Sequence, residues 1–274
     1  AASDVYKRQG QLLPLGLQHV VAAVVGVITP AILVADTCGL SSADKTLMIQ
    51  VSLILTALAT LLQLFPIFHR IGSGLPVIMG ISFAYIPTLQ AIGGEFGLPT
   101  ILGAEIVGGI VAIVFGVLVK WIRPLFPPLV TGTVIFTIGL SLYPTAVKYM
   151  AGGAGSEWFG SAKSWAVALI TLAVVVFLNH FTKGITKLAS ILIGILAGYV
   201  IAYFLGIVDL SGVGSAAWVA LPRPMPFDIQ FVPAACVSLG IVYVVNAVQT
   251  IGDLSSTTMG GMDRMPTDKE LSGG

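Results

Sequence analysis

The chain has 274 residues, of which 56% are hydrophobic and only 9% charged, whereas a soluble domain carries roughly 25% charged residues. So few charges cannot cover the surface of a soluble fold of this size, and the mean hydropathy of +0.99 indicates a membrane protein. The net charge of +1 argues against a nucleic-acid partner. Cys38 and Cys236 are interpreted as two small buried hydrophobes, with a disulfide or metal pair as the alternative.

The order of apolar segments predicts an all-α polytopic membrane protein. Residues 1–10 are polar and are predicted to be a non-native tag or remnant, and the C-terminal sequence DKELSGG is typical of the interior of a longer protein. A helix needs about 20 apolar residues to cross the hydrocarbon. Eight segments meet that requirement: 12–34, 46–66, 75–94, 100–119, 128–147, 163–181, 187–207 and about 231–254.

The charges between these segments favour a cytoplasmic N-terminus, because lysine and arginine are enriched in cytoplasmic loops. That orientation places these basic residues inside: Arg70, Lys120, Arg123, Lys183, Lys187, Arg264 and Lys269. It places fewer outside: Lys45, Lys148, Lys163 and Arg223. The longest connection, 208–230, contains three prolines close together and is the expected extracellular boundary between two halves.

The third apolar segment is interrupted. Residues 72–88 read GSGLPVIMGISFAYIPT, with a density of glycine and proline that disfavours a continuous helix. Irregular backbone at membrane depth must be buried in protein or line a cavity, and secondary transporters build substrate sites from such segments. A kinked structural helix is the alternative.

The short run GISFAY within this segment is predicted to be extended. Alternation would then direct Ser82 and Ala84 to one side, and Phe83 and Tyr85 to the other. A free backbone edge could hydrogen-bond a planar, amide-rich ligand, on which the nearby aromatic rings could stack.

Polar residues inside the other spans are the remaining candidates. His19, beside Gln18 in the first span, is either a structural histidine or one that orients a neighbouring carboxylate. Glu105, in the small-residue stretch GAEIVGG of the fourth span, is either an interfacial acid or a transport residue, and its surroundings predict close helix packing.

Asp253 is the most informative acid, because carboxylates at bilayer depth usually mark ion or proton pathways. The alternative is that it caps the end of the eighth helix near Arg264. Gln249 precedes it by four residues and therefore shares its helix face. The Gln249 amide offers donors and an acceptor suited to the edge of a lactam ring.

Four blocks of sequence, in order, resemble the nucleobase–ascorbate transporter family, also called nucleobase:cation symporter type 2, and most closely its bacterial xanthine/uracil permeases. The blocks are LGLQHVVA, GSGLPVIMGISFAY, FPPLVTGTVIFTIGLSLYPTAVKYMAGG (126–153), and VQTIGDLSSTTMGG followed by RMPTDKELSGG.

The resemblance implies fourteen spans in two inverted seven-span repeats. Residues 11–120 would then be spans one to four of a substrate-holding core domain, and 121–207 would be spans five to seven of a gate domain. Residues 231–274 would be the eighth span and the following cytoplasmic loop, which begin the second repeat. The resemblance also implies a multi-pass protein of the cell membrane that can pair through its gate domain.

The resemblance also assigns roles to residues. His19 matches a histidine that supports the polar network of the site, Ser82 matches a position linked to substrate preference, and Asp253 matches the acid of the family's ETIGD block. Gln249 occupies a position where many members have a glutamate that contacts the base. A glutamine can bind a purine but cannot carry a proton, so Asp253, a later acid or a cation other than a proton must supply the coupling.

These observations together predict the first half of a nucleobase importer driven by a proton or Na⁺ and using no other cofactor. The substrate would be a xanthine- or uric acid-type purine, or uracil. The expected site residues are Ser82, Phe83, Ala84 and Gln249 for substrate, Asp253 and His19 for coupling, and Tyr85 and Glu105 as further candidates.

Two other classes are weaker. An anion transporter or channel of the same architecture would require a fixed cation near the broken segment, and the sequence has none at membrane depth. A membrane enzyme is disfavoured because the sequence has no Ser-His-Asp order, metal-ligand cluster or phosphate loop, and His69 and His180 lie far from plausible partners.

Overall fold

The computed structural model describes residues 9–67, 71–122, 127–153, 156–208, 210, 214 and 227–274. Within those residues the chain is helical, and its one β feature is an isolated bridge between Ile67 and Ile71. The helices are α1 (Gln9–Thr37), α2 (Ser42–Leu64), α3 (Ile86–Phe96), α4 (Leu98–Ile122), α5 (Pro128–Ser141), α6 (Tyr143–Met150), α7 (Ala162–Phe181), α8 (Ile185–Leu188), α9 (Ser190–Phe204), α10 (Pro233–Met262) and α11 (Asp268–Gly273). Predictions for residues 1–8, for His69 and for most of the loop 208–230 lie outside the described residues.

The predicted all-helical class is confirmed. Four described helices are long and apolar enough to cross a membrane, namely α2, α4, α7 and α10. They coincide with the second, fourth, sixth and eighth predicted spans. The last of them continues to Met262 rather than ending near residue 254.

The fifth predicted span is not one helix. It divides into α5 and α6, and the break lies at Leu142, where the first of the two ends. Pro144 follows closely, and a proline has no N–H to donate to the carbonyl four residues earlier in a helix. The seventh predicted span is shorter than expected, because α9 covers only Ser190–Phe204.

The chain divides into two compact units, one formed by residues 1–25 and 143–221 and the other by 26–142 and 222–274. In the first unit α7 packs against α9. A Cβ atom on Gly194 would lie 2.2 Å from Val175 Cγ2, and one on Gly198 would lie 2.5 Å from Thr171 Oγ1. The small residues therefore set how closely these two helices approach.

In the second unit α4 packs along α10, and two hydrophobic clusters form its interior. The predicted close packing near Glu105 is confirmed, because a Cβ atom on Gly108 would lie 2.2 Å from ring carbons of Tyr243. Cys38 and Cys236 pack, partly buried, against the first cluster. The second cluster joins Leu75, Phe115, Val248, Ile251, Leu254 and Leu271.

Candidate substrate-binding site

The predicted interruption of the third span is confirmed. Residues 72–82, called here the irregular segment, contain no helix, and a short 3₁₀ turn then leads into α3. Gly72 adopts a φ of +96°, and a Cβ atom on it would lie 2.0 Å from the Leu62 carbonyl oxygen. A side chain would be strained in this conformation and would clash in this space, so the glycine allows the chain to lie closely against the end of α2.

The extended part ends earlier than predicted. Ser82 has extended backbone angles (φ −73°, ψ 133°), but Phe83–Tyr85 form the 3₁₀ turn. The cause is capping: Ser82 Oγ accepts a hydrogen bond from the Ala84 N–H at 3.2 Å, which is the usual role of serine at a helix start. Phe83, Ala84 and Tyr85 therefore do not alternate between two faces.

Ser82 and Gln249, which are far apart in sequence, meet in the second unit. Ser82 Oγ donates to Gln249 Oε1 at 3.2 Å. The Gln249 amide also hydrogen-bonds the Asp253 side chain, one helical turn further along α10. Ser82 and Gln249 are half-buried, whereas Asp253 is exposed. Three predicted site residues thus form one chain of contacts.

The backbone beside this contact can accept a ligand. Among the residues that the structure describes, the N–H groups of Gly80, Ile81 and Ser82 have no hydrogen-bond partner. Buried N–H groups are normally paired in proteins, and Ile81 and Ser82 are half-buried. Three consecutive free donors next to an amide side chain can therefore bind the carbonyl and ring-nitrogen edge of a heterocycle.

Asp253 does not cap α10, because the helix continues beyond it to Met262. Arg264, the cation expected to accompany such a cap, instead pairs with Glu270 through two hydrogen bonds of 2.5 and 2.8 Å. The capping interpretation is therefore wrong, and Asp253 lies within the helix with its side chain exposed beside that of Gln249.

Tyr85 and Glu105 are joined by a residue that the sequence analysis missed. The Tyr243 hydroxyl donates to Glu105 Oε2, and its ring packs edge-on against Tyr85 with 4.9 Å between centroids. Tyr85 is buried in the first cluster. The sequence signal for Tyr243 was its position within an apolar run, six residues before Gln249.

A cavity of about 770 Å³ adjoins these tyrosines between α4, α10 and α11. The polar residues that line it include Tyr85, Tyr243, Asn246, Thr250, Lys269 and Ser272. Ser82 and Gln249 are not among the described residues that line it, so the cavity and the Ser82–Gln249 contact are separate features. Asn246 and Thr250, spaced i,i+4 on α10, were also missed by the sequence analysis.

A family model for xanthine/uracil permeases, described as a permease family, matches residues 10–274. The chain belongs to this permease family. The resemblance drawn from the four sequence blocks is thereby confirmed, and the protein is a multi-pass helical membrane protein of a transporter family.

Curated relatives of this permease agree with that assignment. It is 38% identical over 244 residues to a xanthine permease of Bacillus subtilis (strain 168), with 89% of this chain and 56% of the relative covered. It is 38% identical over 251 residues to the uric acid permease PucK of the same organism, covering 88% and 56%. It is 32% identical over 246 residues to the uric acid transporter UacT of Escherichia coli (strain K12), covering 89% and 51%. The chain spans about half the length of the curated relatives it matches.

His19 is the one predicted site residue of the permease that lies in the first unit. Its side chain is exposed on α1. Its predicted part in the polar network of the site stays a prediction.

Proposed function

We propose that this permease chain forms the first part of a secondary active transporter that imports a nucleobase with a cation. The relatives named above are described as permeases or transporters of xanthine and uric acid. A xanthine- or uric acid-type purine is therefore the first candidate substrate and uracil the second. The protein would reside in the cell membrane with its N-terminus in the cytoplasm.

The Ser82–Gln249 contact is the observation that carries this proposal. An amide side chain can donate and accept at once, which matches the alternating N–H and C=O edge of an oxidised purine. The free N–H groups of Gly80 and Ile81 supply further donors beside it. A bound base would exchange the hydrogen bond between Ser82 and Gln249 for bonds to its own edge.

Coupling is assigned to Asp253. Gln249 cannot take up a proton, whereas the exposed carboxyl one turn away can. Protonation of Asp253 would change the hydrogen bond that it shares with the Gln249 amide, which links cation binding to the substrate contact. A proton is the first candidate and Na⁺ the second, with His19 as a supporting residue.

Transport would proceed by alternating access, in which a core domain moves against a gate domain. Spans one to four and the eighth span would carry the substrate, and spans five to seven would form part of the gate. The gate domain would also provide the contact for a homodimer.

The test is uptake of labelled xanthine, uric acid and uracil by cells that express the full-length gene and lack their own base transporters. We expect one purine to accumulate, and Ser82→Ala to raise its KM about 3- to 10-fold, the value of one neutral hydrogen bond. Ser141→Ala is the matched control, because Ser141 is exposed and its hydroxyl donates to the Ile138 carbonyl of its own helix. If no purine or pyrimidine is taken up or competes, the proposal is wrong.

A further inference from the structure

Two polar side chains of α2 hold the irregular segment. Gln63 is only 3% exposed, although the neighbouring leucines of this helix face outward. Its amide nitrogen donates to Ser73 Oγ, and its amide oxygen accepts from the Ser73 N–H at 3.3 Å. One turn earlier in α2, Thr60 Oγ1 accepts the Met79 N–H at 3.0 Å.

These bonds replace the helical partners that the irregular backbone lacks. A buried N–H without a partner costs about 1–3 kcal/mol in proteins. Gln63 supplies partners at the start of the segment. Besides its side chain, its backbone carbonyl accepts a hydrogen bond from the Gly74 N–H at 2.8 Å. Thr60 supplies a partner near the end. The segment is therefore fixed at both ends to one face of a single helix.

Thr60 also fixes the backbone directly before a run of free N–H groups. The Met79 N–H is bonded to Thr60, and among the described residues the three N–H groups that follow, from Gly80 to Ser82, have no hydrogen-bond partner. Ser82 follows two residues later and reaches Gln249 on α10. A shift of Met79 relative to α2 would move Ser82 and the free donors by a similar distance, since only short extended chain connects them.

We propose that Thr60 and Gln63 are positioning residues for the nucleobase, an inference that rests on the proposed function. They do not touch the base. They fix the position and orientation of the irregular segment relative to α2. In that position its free N–H groups and the Gln249 amide can bind the same flat ring. Loss of either bond should therefore weaken substrate binding rather than only reduce the amount of folded protein.

The experiment compares variants of the full-length transporter in cells, with uptake normalised to the amount in the membrane. Thr60→Val keeps the shape of the side chain but removes the hydroxyl, and Thr60→Ser keeps the hydroxyl. Thr46→Val is the matched control, because the Thr46 hydroxyl bonds a carbonyl of α2 itself. Thr60→Ala, which leaves room for a water molecule at the Met79 N–H, takes the place of Thr60→Val if the latter does not reach the membrane.

We expect Thr60→Val to raise the KM for the transported base on the order of 10-fold, with the maximal rate per transporter changed less. Thr60→Ser and Thr46→Val should stay within about twofold of wild type. An unchanged KM in Thr60→Val, or an equal rise in Thr46→Val or Thr60→Ser, would overturn the inference while leaving the proposed function intact. A wild-type protein that takes up no base would overturn both.

Discussion

Gln249 links two other candidate site residues, because its side chain contacts both Ser82 and Asp253. Its oxygen accepts from Ser82, and its amide hydrogen-bonds Asp253. Because the Gln249 amide is hydrogen-bonded to both residues, a change in one of these bonds affects the other. Gln249 is a direct physical link between the proposed substrate contact and a titratable group in the second unit.

Replacing Asp253 separates proton coupling from substrate binding. Asp253→Asn keeps a hydrogen-bonding side chain beside Gln249 but removes the group that can gain or lose a proton. We expect uptake to lose its stimulation by an inward proton gradient, because the side chain at position 253 can then no longer take up a proton. Exchange of labelled for unlabelled base across the membrane should persist. Both are measured in vesicles with an imposed pH gradient.

Asp263→Asn is the control for this substitution. Asp263 is exposed at the end of α10 with a positive φ of 52°, a conformation that asparagine also accepts. The Asp263→Asn substitution should leave uptake driven by the proton gradient unchanged. Stimulation by the proton gradient that survives in Asp253→Asn would assign the coupling to another acid.

The sequence singled out Ser82, Gln249 and Asp253 because each is polar within an apolar run. It could not show that Ser82 meets Gln249, since their contact joins segments 167 residues apart. Thr60, Gln63 and Tyr243 went unnoticed for a related reason. A lone threonine, glutamine or tyrosine near a span is common, and only the partner across the packed helices shows what it does.

At the scale of elements, the broken third span was predictable and its exact form was not. The density of glycine and proline disfavours a continuous helix, so the break could be predicted from composition. The conformation of Phe83–Tyr85 depends instead on a capping bond from Ser82, which competes with the extended run that alternation would require. The break at Leu142 had a sequence signal in Pro144 that the hydropathy pattern masked.

The short helix α11 packs against α4, and Leu271 places its side chain in the second cluster. Thr267 and Glu270 form a capping box, and Arg264 pairs with the same carboxylate. Hydrogen bonds from Arg264 and then from Thr267 lower the pKa of Glu270 to about 2. Because this pKa is lowered, the stabilisation is fully present above the ordinary value of 4.5 and is lost only as the pH falls through about 2.

Labelling of a cysteine at Leu271 in the full-length protein measures how firmly α11 is docked. Adding Arg264→Gln to Leu271→Cys should raise the labelling rate by up to about fivefold, the most that an exposed ion pair usually contributes. The ratio of the two rates should be the same at pH 5 and pH 8, because the pair does not titrate there. Lys269→Gln, which removes an exposed cation of α11 itself, should not raise the rate. Equal labelling with and without Arg264→Gln would show that the ion pair does not hold the helix.

For the whole molecule, composition and the order of apolar residues predicted a membrane protein of the helical class, because runs of about 20 apolar residues are typical of membrane-spanning helices. Four of the eight predicted spans coincide with described helices that are long and apolar enough to cross a membrane. The four sequence blocks predicted the family, which the match over residues 10–274 confirms. The division into core and gate domains stays a prediction. It concerns how groups of helices move, and local sequence does not encode such motion.

The most direct test of the account is protection of position 82 by substrate in the full-length transporter. Ser82→Cys would be alkylated with a maleimide in membranes, with and without xanthine, uric acid or uracil. We expect the transported base to slow alkylation several-fold at concentrations near its KM, and a base that does not compete for uptake to have no effect. If Ser82→Cys still accumulates base while no base alters its alkylation, the substrate does not bind between the irregular segment and α10.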